Sequence, residues 1–146
     1  MEKRLVIRDY IPSDYKTIKL LIDELGYPSS EEEVKERLEK ISSDKTLRTL
    51  VAEMEGKIIG FIGLCKSYAY ERNGCYIRIT ALVVSEKYRK IGIGTELIQA
   101  AEEWAKTVNA SCILLNSGVD RKEAHKFYEN KGYCIKGYSF FKNIVY

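Results

Sequence analysis

The residues best suited to chemistry form an apolar run, a short basic loop and two glycines within residues 82–95. The apolar run occupies 82–84, and the glycines are Gly92 and Gly94. Glycine allows the backbone to approach a ligand closely. A helix predicted to start here offers unpaired N–H groups and the positive end of its dipole. We therefore predict an anion-binding turn, for which a phosphate or pyrophosphate is the natural ligand.

Two familiar phosphate-binding loops do not fit this segment. A Walker A loop needs a lysine directly after its last glycine, whereas Lys90 precedes both glycines. A dinucleotide-binding fingerprint needs a third glycine where this chain has Leu97. What remains is Arg89-x-x-Gly92-x-Gly94 after a strand. This pattern resembles the coenzyme A loop of the GNAT superfamily of N-acetyltransferases, written [Gln/Arg]-x-x-Gly-x-[Gly/Ala].

A second motif supports the same resemblance. The family's C-terminal pattern, Ala-x-x-[Phe/Leu]-Tyr-x-x-x-Gly-[Phe/Tyr], is matched by Ala124, Phe127, Tyr128, Gly132 and Tyr133. It follows the glycine loop after a predicted strand that ends at Asn116. Two spaced motifs in the expected order are much harder to obtain by chance than one, so the chain is identified as a member of this family.

Length and charge limit the function classes. A chain of 146 residues can bury about 68–70% of its unfolded surface, and no linker or repeat divides it, so we predict a single domain over 1–146. The net charge is only +3 and the basic residues are spread along the chain rather than clustered, which predicts no nucleic-acid binding. No apolar run approaches the roughly 20 residues of a membrane helix, and no signal peptide is apparent. We expect a cytoplasmic protein without a membrane partner.

The cysteines and the single histidine are poor material for a metal site. No Cys-x-x-Cys pair occurs, so the sequence predicts no metal ion. Reduced structural thiols are expected at Cys65, Cys75, Cys112 and Cys134.

Hydrophobic periodicity and start and stop signals predict the first half of the fold. A short strand over 5–8 precedes a helix that ends before Gly26. Ser30 and Glu33 form a capping box for a second helix. A β-hairpin is predicted over 46–68, followed by a long central strand.

The second half continues with a helix after the glycine loop and a buried strand over 111–116. Asp120 is predicted to cap the next helix, and closing strands are predicted over 133–135 and 138–141. The resulting fold class is α/β, with the order β-α-α-β-β-β-α-β-α-β-β. This order is also that of the GNAT fold, a mixed central sheet flanked by helices.

The resemblance implies which residues bind acetyl-coenzyme A. Loop amides point at the pyrophosphate, and backbone groups beside a bulge in the central strand pair with the pantetheine arm. Asn116 also fits an ordinary turn at a strand end. The implied cofactor-binding residues are Leu82, Val83, Val84, Arg89, Lys90, Ile91, Gly92, Ile93, Gly94, Thr95, Asn116 and Phe127.

The implied activity is direct transfer of an acetyl group from acetyl-coenzyme A to a primary amine of a small molecule or peptide. Tyr128 is the implied general acid near the leaving thiolate; a core tyrosine is the alternative. Many relatives carry a carboxylate on the central strand, but this chain has Thr80 and Ala81 there. Glu53, Glu71 or a chain of waters could replace it. If nothing does, the alternative function is a catalytically silent coenzyme A-binding sensor or interaction domain.

The acceptor amine is predicted to bind between the first two helices and the loop before the central strand. Tyr27, Tyr70 and Glu71 are the expected acceptor-binding residues, because tyrosines beside a carboxylate suit a cation. The same aromatic loop fits a homodimer surface equally well. The sequence leaves open the acceptor's identity, the oligomeric state and the use of acyl groups other than acetyl.

Overall fold

The computed structural model describes residues 4–145. These form two compact units, one extending to Leu114 and the other starting at Leu115. A compact unit within a small chain is not by itself an independent domain, so the single domain over 1–146 stays a prediction.

The first unit contains most of a five-stranded sheet and three helices. The sheet order follows the chain from β1 to β5, and β1 to β4 pair antiparallel in succession. Short 3-10 turns occupy Pro12–Asp14 and Glu86–Tyr88. The elements are β1 (Leu5–Asp9), α1 (Tyr15–Leu25), α2 (Glu31–Ser43), β2 (Leu47–Met54), β3 (Lys57–Tyr68), β4 (Cys75–Val84), α3 (Ile93–Thr107) and β5 (Ile113–Leu115), whose last residue belongs to the second unit.

Local sequence signals account for the ends of α1 and α2. Gly26 follows α1 in the left-handed region at φ 104°, where a glycine carries no steric penalty. At the start of α2, the Glu33 amide donates to Ser30 Oγ at 3.1 Å and the Ser30 amide donates to Glu33 Oε1 at 2.9 Å. The predicted capping box is therefore confirmed.

The sheet packs between α1 and α2 on one face and α3 on the other. Phe61 of β3 lies in a buried cluster with Ile18 of α1 and Val34 of α2. Its neighbour Gly60 faces the opposite way, where an added Cβ would lie 3.5 Å from Leu97 of α3. Successive strand residues point to opposite faces, so this one strand contributes to both cores.

A β-bulge interrupts the pairing of β3 with β4. Gly63 pairs with Ala81, but the next residue, Leu64, pairs with Ile79. Thr80 is therefore the extra residue of the bulge. A Cβ added to Gly63 would lie 2.7 Å from Thr80 Oγ1, so glycine makes room for the threonine side chain. The bulge that the resemblance implies on the central strand is present.

The second unit contains α4 (Lys122–Asn130) and an extended tail. The predicted Asp120 cap is wrong, because a turn closed by the Arg121 amide and the Gly118 carbonyl puts Arg121 at the N-cap. The predicted strand over 111–116 is shorter, covering 113–115, and is only half-buried.

The prediction of two closing strands is also wrong, because residues 133–145 form neither helix nor strand. Short aromatic-rich segments have strand propensity, but a strand forms only when its backbone groups pair with a neighbour. Cys134, expected within an apolar strand, is exposed. Apart from these strands, the α/β class with a sheet flanked by helices is confirmed.

The close approach of Gly60 to β4 gives a test of this packing. An added Cβ would lie 2.8 Å from the Val83 carbonyl oxygen, an atom that cannot rotate away. We expect Gly60→Ala to lower the free energy of unfolding by about 1–3 kcal/mol, measured by urea denaturation. Gly137→Ala is the matched control, because nothing lies within 4 Å of its added Cβ. Equal stabilities of the two variants would contradict the packing described.

Candidate functional site

The loop after β4 is held at both ends by hydrogen bonds. The Ser85 amide donates to the Ile59 carbonyl at 2.8 Å. Arg89 Nε donates to the Val84 carbonyl at 3.1 Å, so the arginine folds back onto the end of the strand. Lys90 adopts a positive φ of 65°, which is uncommon for a residue with a Cβ. The backbone is therefore set in a sharp turn directly before α3.

The turn leads into a helix whose first amides are available to an anion. Gly92 is the N-cap of α3, with φ 91° and ψ 6°, and nothing lies within 4 Å of an added Cβ. The first amide bonded within the helix is that of Glu96, which donates to the Gly92 carbonyl at 3.1 Å. The amides of residues 93–95 precede that bond, as the first amides of any helix do. They form the start of α3, where the helix dipole favours negative charge.

Side chains around the turn give a mixed but mainly basic surface. Lys87, Arg89 and Lys90 are exposed, and Ile91 is 61% exposed. Glu86 and Glu96 are the acidic residues on either side. The basic side chains can attract an anion from solution, while the backbone supplies the directed donors.

The end of β4 next to this loop has a partner along one side. Leu82, Val83 and Val84 pair with β3. On the other side, the Ser111 amide donates to the Cys75 carbonyl and the Ile77 amide to the Cys112 carbonyl. These bonds lie at the start of β4.

β5 cannot follow the whole length of β4. It has three residues against ten in β4, and ten strand residues span about 33 Å. The last residues of β4 therefore offer an edge to which an extended ligand can add.

In the second unit, Tyr128 lies among aromatic rings. Its ring centroid is 5.3 Å from that of Phe127 and 6.0 Å from that of Tyr133, both edge-to-face. Burial raises the pKa of Tyr128, and the nearby charge of Arg121 lowers it less. The phenol therefore stays protonated at neutral pH and can donate a hydrogen bond. Asn116 directly follows β5 and is exposed.

The residues predicted to bind the acceptor are solvent-exposed. Tyr27 is 68% exposed and Tyr70 fully so, and Glu71 is exposed in the loop before β4. None of the three lines a cavity of about 360 Å³ that lies between α1, α2 and the sheet. We call this the α1–α2 cavity; it is lined by Ile18, Ile22, Leu25, Val34, Arg37, Leu38, Ile41, Leu47, Arg48, Thr49, Phe61, Gly63, Leu64, Thr80 and Ala81.

Sequence reasoning missed this cavity. The hydrophobic periodicity of α1 and α2 was used only to predict the helices, and the signal that could have revealed the cavity is Gly63 within an otherwise apolar strand. A glycine inside a strand often marks a bulge or a close approach.

The two candidate bases differ in their surroundings. Glu53 Oε1 lies 3.4 Å from an Arg8 guanidinium nitrogen, and that arginine also binds the buried Asp14 carboxylate at 2.9 Å. Glu53 is also separated from the bulge. It lies four residues along β2 from Thr49, the residue that pairs with Gly63 beside the bulge. Glu53 is thus engaged in an ion pair with Arg8, and the hydroxyl of Thr80 at the bulge is no base at neutral pH. Glu71 remains an exposed carboxylate.

A second cavity, of about 440 Å³, lies between β1, β2 and α3. Two of its charged side chains pair with each other: Arg48 Nε lies 2.8 Å from Asp9 Oδ1, and the Arg48 guanidinium lies 5.6 Å from the Trp104 ring centroid. Among residues 4–145, no cluster of three His, Cys, Asp or Glu side chains is arranged to hold a metal ion. Within the same residues, no helix has the length and apolar character needed to cross a membrane.

Comparisons with known proteins agree with this geometry. The sequence model described as the Acetyltransferase (GNAT) family matches residues 15–133. The structure is similar to that of a GNAT family acetyltransferase from Staphylococcus aureus, with a TM-score of 0.84 and 35% identity over 96% of this chain and 98% of that one. It is also similar to an aminoglycoside N-acetyltransferase solved with CoA, with a TM-score of 0.87 over 99% and 98% of the chains. At 17% identity, that second likeness shows the fold alone.

Among curated proteins, the chain is similar to an uncharacterised N-acetyltransferase of Bacillus subtilis, with 36% identity over 72 residues. That alignment covers 49% of this chain and 51% of the relative. The chain therefore spans about half the length of this curated relative.

Proposed function

Because the chain belongs to the GNAT family of acetyltransferases, we propose that it transfers the acetyl group of acetyl-coenzyme A directly to a primary amine. The observation that carries this proposal is the turn between β4 and α3. It combines an open backbone at Gly92, the first amides of a helix and basic side chains, which together suit a pyrophosphate.

Beyond the turn itself, the edge of β4 also fits coenzyme A. The amides of 93–95 hold the pyrophosphate, and the edge of β4 at Leu82, Val83 and Val84 pairs with the pantetheine arm as an added strand would. The coenzyme supplies a thioester whose acyl carbon an amine can attack. A backbone amide of this edge donates to the thioester oxygen and stabilises the charge that develops there.

Tyr128 is proposed to donate a hydrogen bond to the leaving thiolate. Its raised pKa keeps the proton on Oη at neutral pH. Because its pKa is raised by burial, this phenol is a weak acid toward a thiolate, so its contribution is a hydrogen bond rather than full proton transfer. Asn116 and Phe127 are proposed to contact the coenzyme.

The acceptor amine loses its proton to solvent in this proposal. An amine with a pKa of about 10.4 is only about 0.04% neutral at pH 7. Glu53 is held by Arg8, and Thr80 has no carboxylate to offer. Water at the exposed bulge is then the proposed proton acceptor, because Glu71 lies in the loop before β4, at the opposite end of that strand from residues 82–84.

The missing carboxylate also favours a second candidate function. A chain that binds acetyl-coenzyme A but transfers nothing would act as a sensor or interaction domain. It would need the turn at Gly92 but would not need Tyr128.

Location and assembly extend the proposal. We place the protein in the cytoplasm, where acetyl-coenzyme A is present and thiols stay reduced, in keeping with four unpaired cysteines.

We also propose a homodimer, because the tail over residues 133–145 exposes large apolar side chains in segments with strand propensity. Each copy carries the same unpaired segment, so two copies can pair symmetrically. These exposed residues are Ile135, Tyr138, Phe140, Phe141, Ile144 and Val145.

Coenzyme binding is tested by thermal melts. Acetyl-coenzyme A at about 100 times its Kd should stabilise the protein by about 2.7 kcal/mol and raise its Tm. Gly92→Glu should abolish the shift, because it puts a carboxylate at the start of α3. Gly74→Glu is the control, with the same strain of a positive φ, 73°, at the opposite end of β4. If acetyl-coenzyme A leaves Tm unchanged, both candidate functions are wrong.

Tyr128 is tested by Tyr128→Phe, which removes the hydroxyl and keeps the ring contacts. We expect kcat for thiol release to fall by about 10²-fold, the lower end for a general acid, with the coenzyme-induced Tm shift unchanged. The rate of the unmodified protein should rise with pH toward the pKa of the amine. Tyr138→Phe, at a residue 88% exposed, should have no effect. An unchanged kcat in Tyr128→Phe, with chemistry rate-limiting, would return Tyr128 to a structural role.

The homodimer is tested by sedimentation velocity. We expect the full chain to sediment as a dimer and the double variant Phe140→Lys, Phe141→Lys to sediment as a monomer. In the proposed dimer the tail pairs as a strand, and neighbouring strand residues face opposite ways. The two lysines would therefore put a charge on both faces of that strand. Lys142→Ser, in the same exposed segment, should remain dimeric. A monomeric full chain at micromolar concentration would rule the dimer out.

A further inference from the structure

The α1–α2 cavity has a lining that restricts what can enter it. Helix α1 contributes Ile18, Ile22 and Leu25 to one wall. The opposite wall comes from the sheet, where Phe61 and Ala81 face the helices. None of the described residues that line the cavity is acidic.

The cavity adjoins the edge at which the acetyl donor is proposed to bind. Thr80 and Ala81 line it, and Leu82 is the next residue along β4. Gly63 lies on the same wall, and a Cβ there would meet Thr80 Oγ1 at 2.7 Å. The bulge and the glycine thus bring the cavity beside the proposed donor.

Arginine provides the only charge on the described lining. Arg48 is bound to Asp9 and lies over Trp104 on the α3 face of the sheet. Arg37 is an exposed residue of α2 on the cavity lining. An ammonium group inside the cavity would therefore find no carboxylate on the lining, where the charged side chains are arginines.

From this lining we infer that the acceptor is a small primary monoamine with an apolar aryl or branched alkyl body and no second positive charge. This inference rests on the proposed acetyl transfer. The apolar body is buried in the cavity with gain from the hydrophobic effect, and its single amine is directed toward the donor edge. A diamine or polyamine would have to bury an unpaired cation, which is costly.

The chemistry balances without any further reactant. The amine nitrogen forms a bond to the acetyl carbon, and the carbon–sulfur bond of the thioester breaks. The sulfur leaves with the electron pair and takes a proton from solvent, while the amine nitrogen loses its protons to solvent. The products are an N-alkyl acetamide and free coenzyme A.

The test compares amines that differ only in the second charge. Initial rates of thiol release are measured with hexylamine and 1,6-diaminohexane, and with 2-phenylethylamine as the aryl case. We expect kcat/KM for hexylamine and 2-phenylethylamine to exceed that for the diamine at least tenfold. Equal or better turnover of the diamine would overturn the inference and leave acetyl transfer standing.

A charge change on the lining makes the test specific to this cavity. Arg37→Glu supplies the missing carboxylate at an exposed position of α2, where a substitution changes stability little. It should shift the ratio of kcat/KM toward the diamine by at least fivefold. Arg37→Gln, of similar size but neutral, should shift the ratio less. An unchanged ratio in Arg37→Glu would show that the acceptor binds elsewhere.

If the proposed acetyl transfer or coenzyme binding is itself wrong, thiol release and the Tm shift give different results. No thiol release with any amine, together with a Tm shift from acetyl-coenzyme A, would establish the silent sensor and overturn this inference with the activity. No Tm shift and no release would overturn coenzyme binding itself.

Discussion

The bulge at Thr80 is the constraint on which the candidate site depends. One extra residue in β4 shifts its pairing with β3 between Gly63 and Leu64. The shift is accommodated because Gly63 has no Cβ to collide with the threonine hydroxyl. It brings Thr80 and Ala81 onto the α1–α2 cavity, and β4 then continues to Val84 and the glycine loop. A single register change thus puts an apolar cavity next to the end of β4, where the coenzyme is proposed to bind.

Backbone and side chains have separate roles around this bulge. The side chain of Val83 is buried in the core with Phe61, while the proposed binding of the coenzyme uses the backbone of the same strand. Gly92 contributes by its positive φ and open surroundings rather than by any reactive group. This division lets a packed core and a binding edge share the same residues, and it leaves the choice of acceptor to the side chains of the cavity.

Local signals in the sequence were sufficient to predict several helix ends and the turn before α3. Gly26 and the Ser30–Glu33 capping box fixed helix ends through contacts a few residues apart, and the glycines marked the turn before α3. The tail over 133–145 was mispredicted because strand formation depends on a distant partner. The α1–α2 cavity was missed for a related reason: it is enclosed by two helices and three strands that only the fold brings together. Whether Tyr27, Tyr70 and Glu71 bind an acceptor stays a prediction.

The central claim, that backbone amides at the start of α3 bind the pyrophosphate of acetyl-coenzyme A, is tested most directly by an amide NMR titration of the full chain. The account predicts that the amide resonances of residues 92–95 shift most and saturate together. The amide of Gly74, at the opposite end of β4, should shift little. Saturating acetyl-coenzyme A that leaves the resonances of residues 92–95 unmoved would contradict the account.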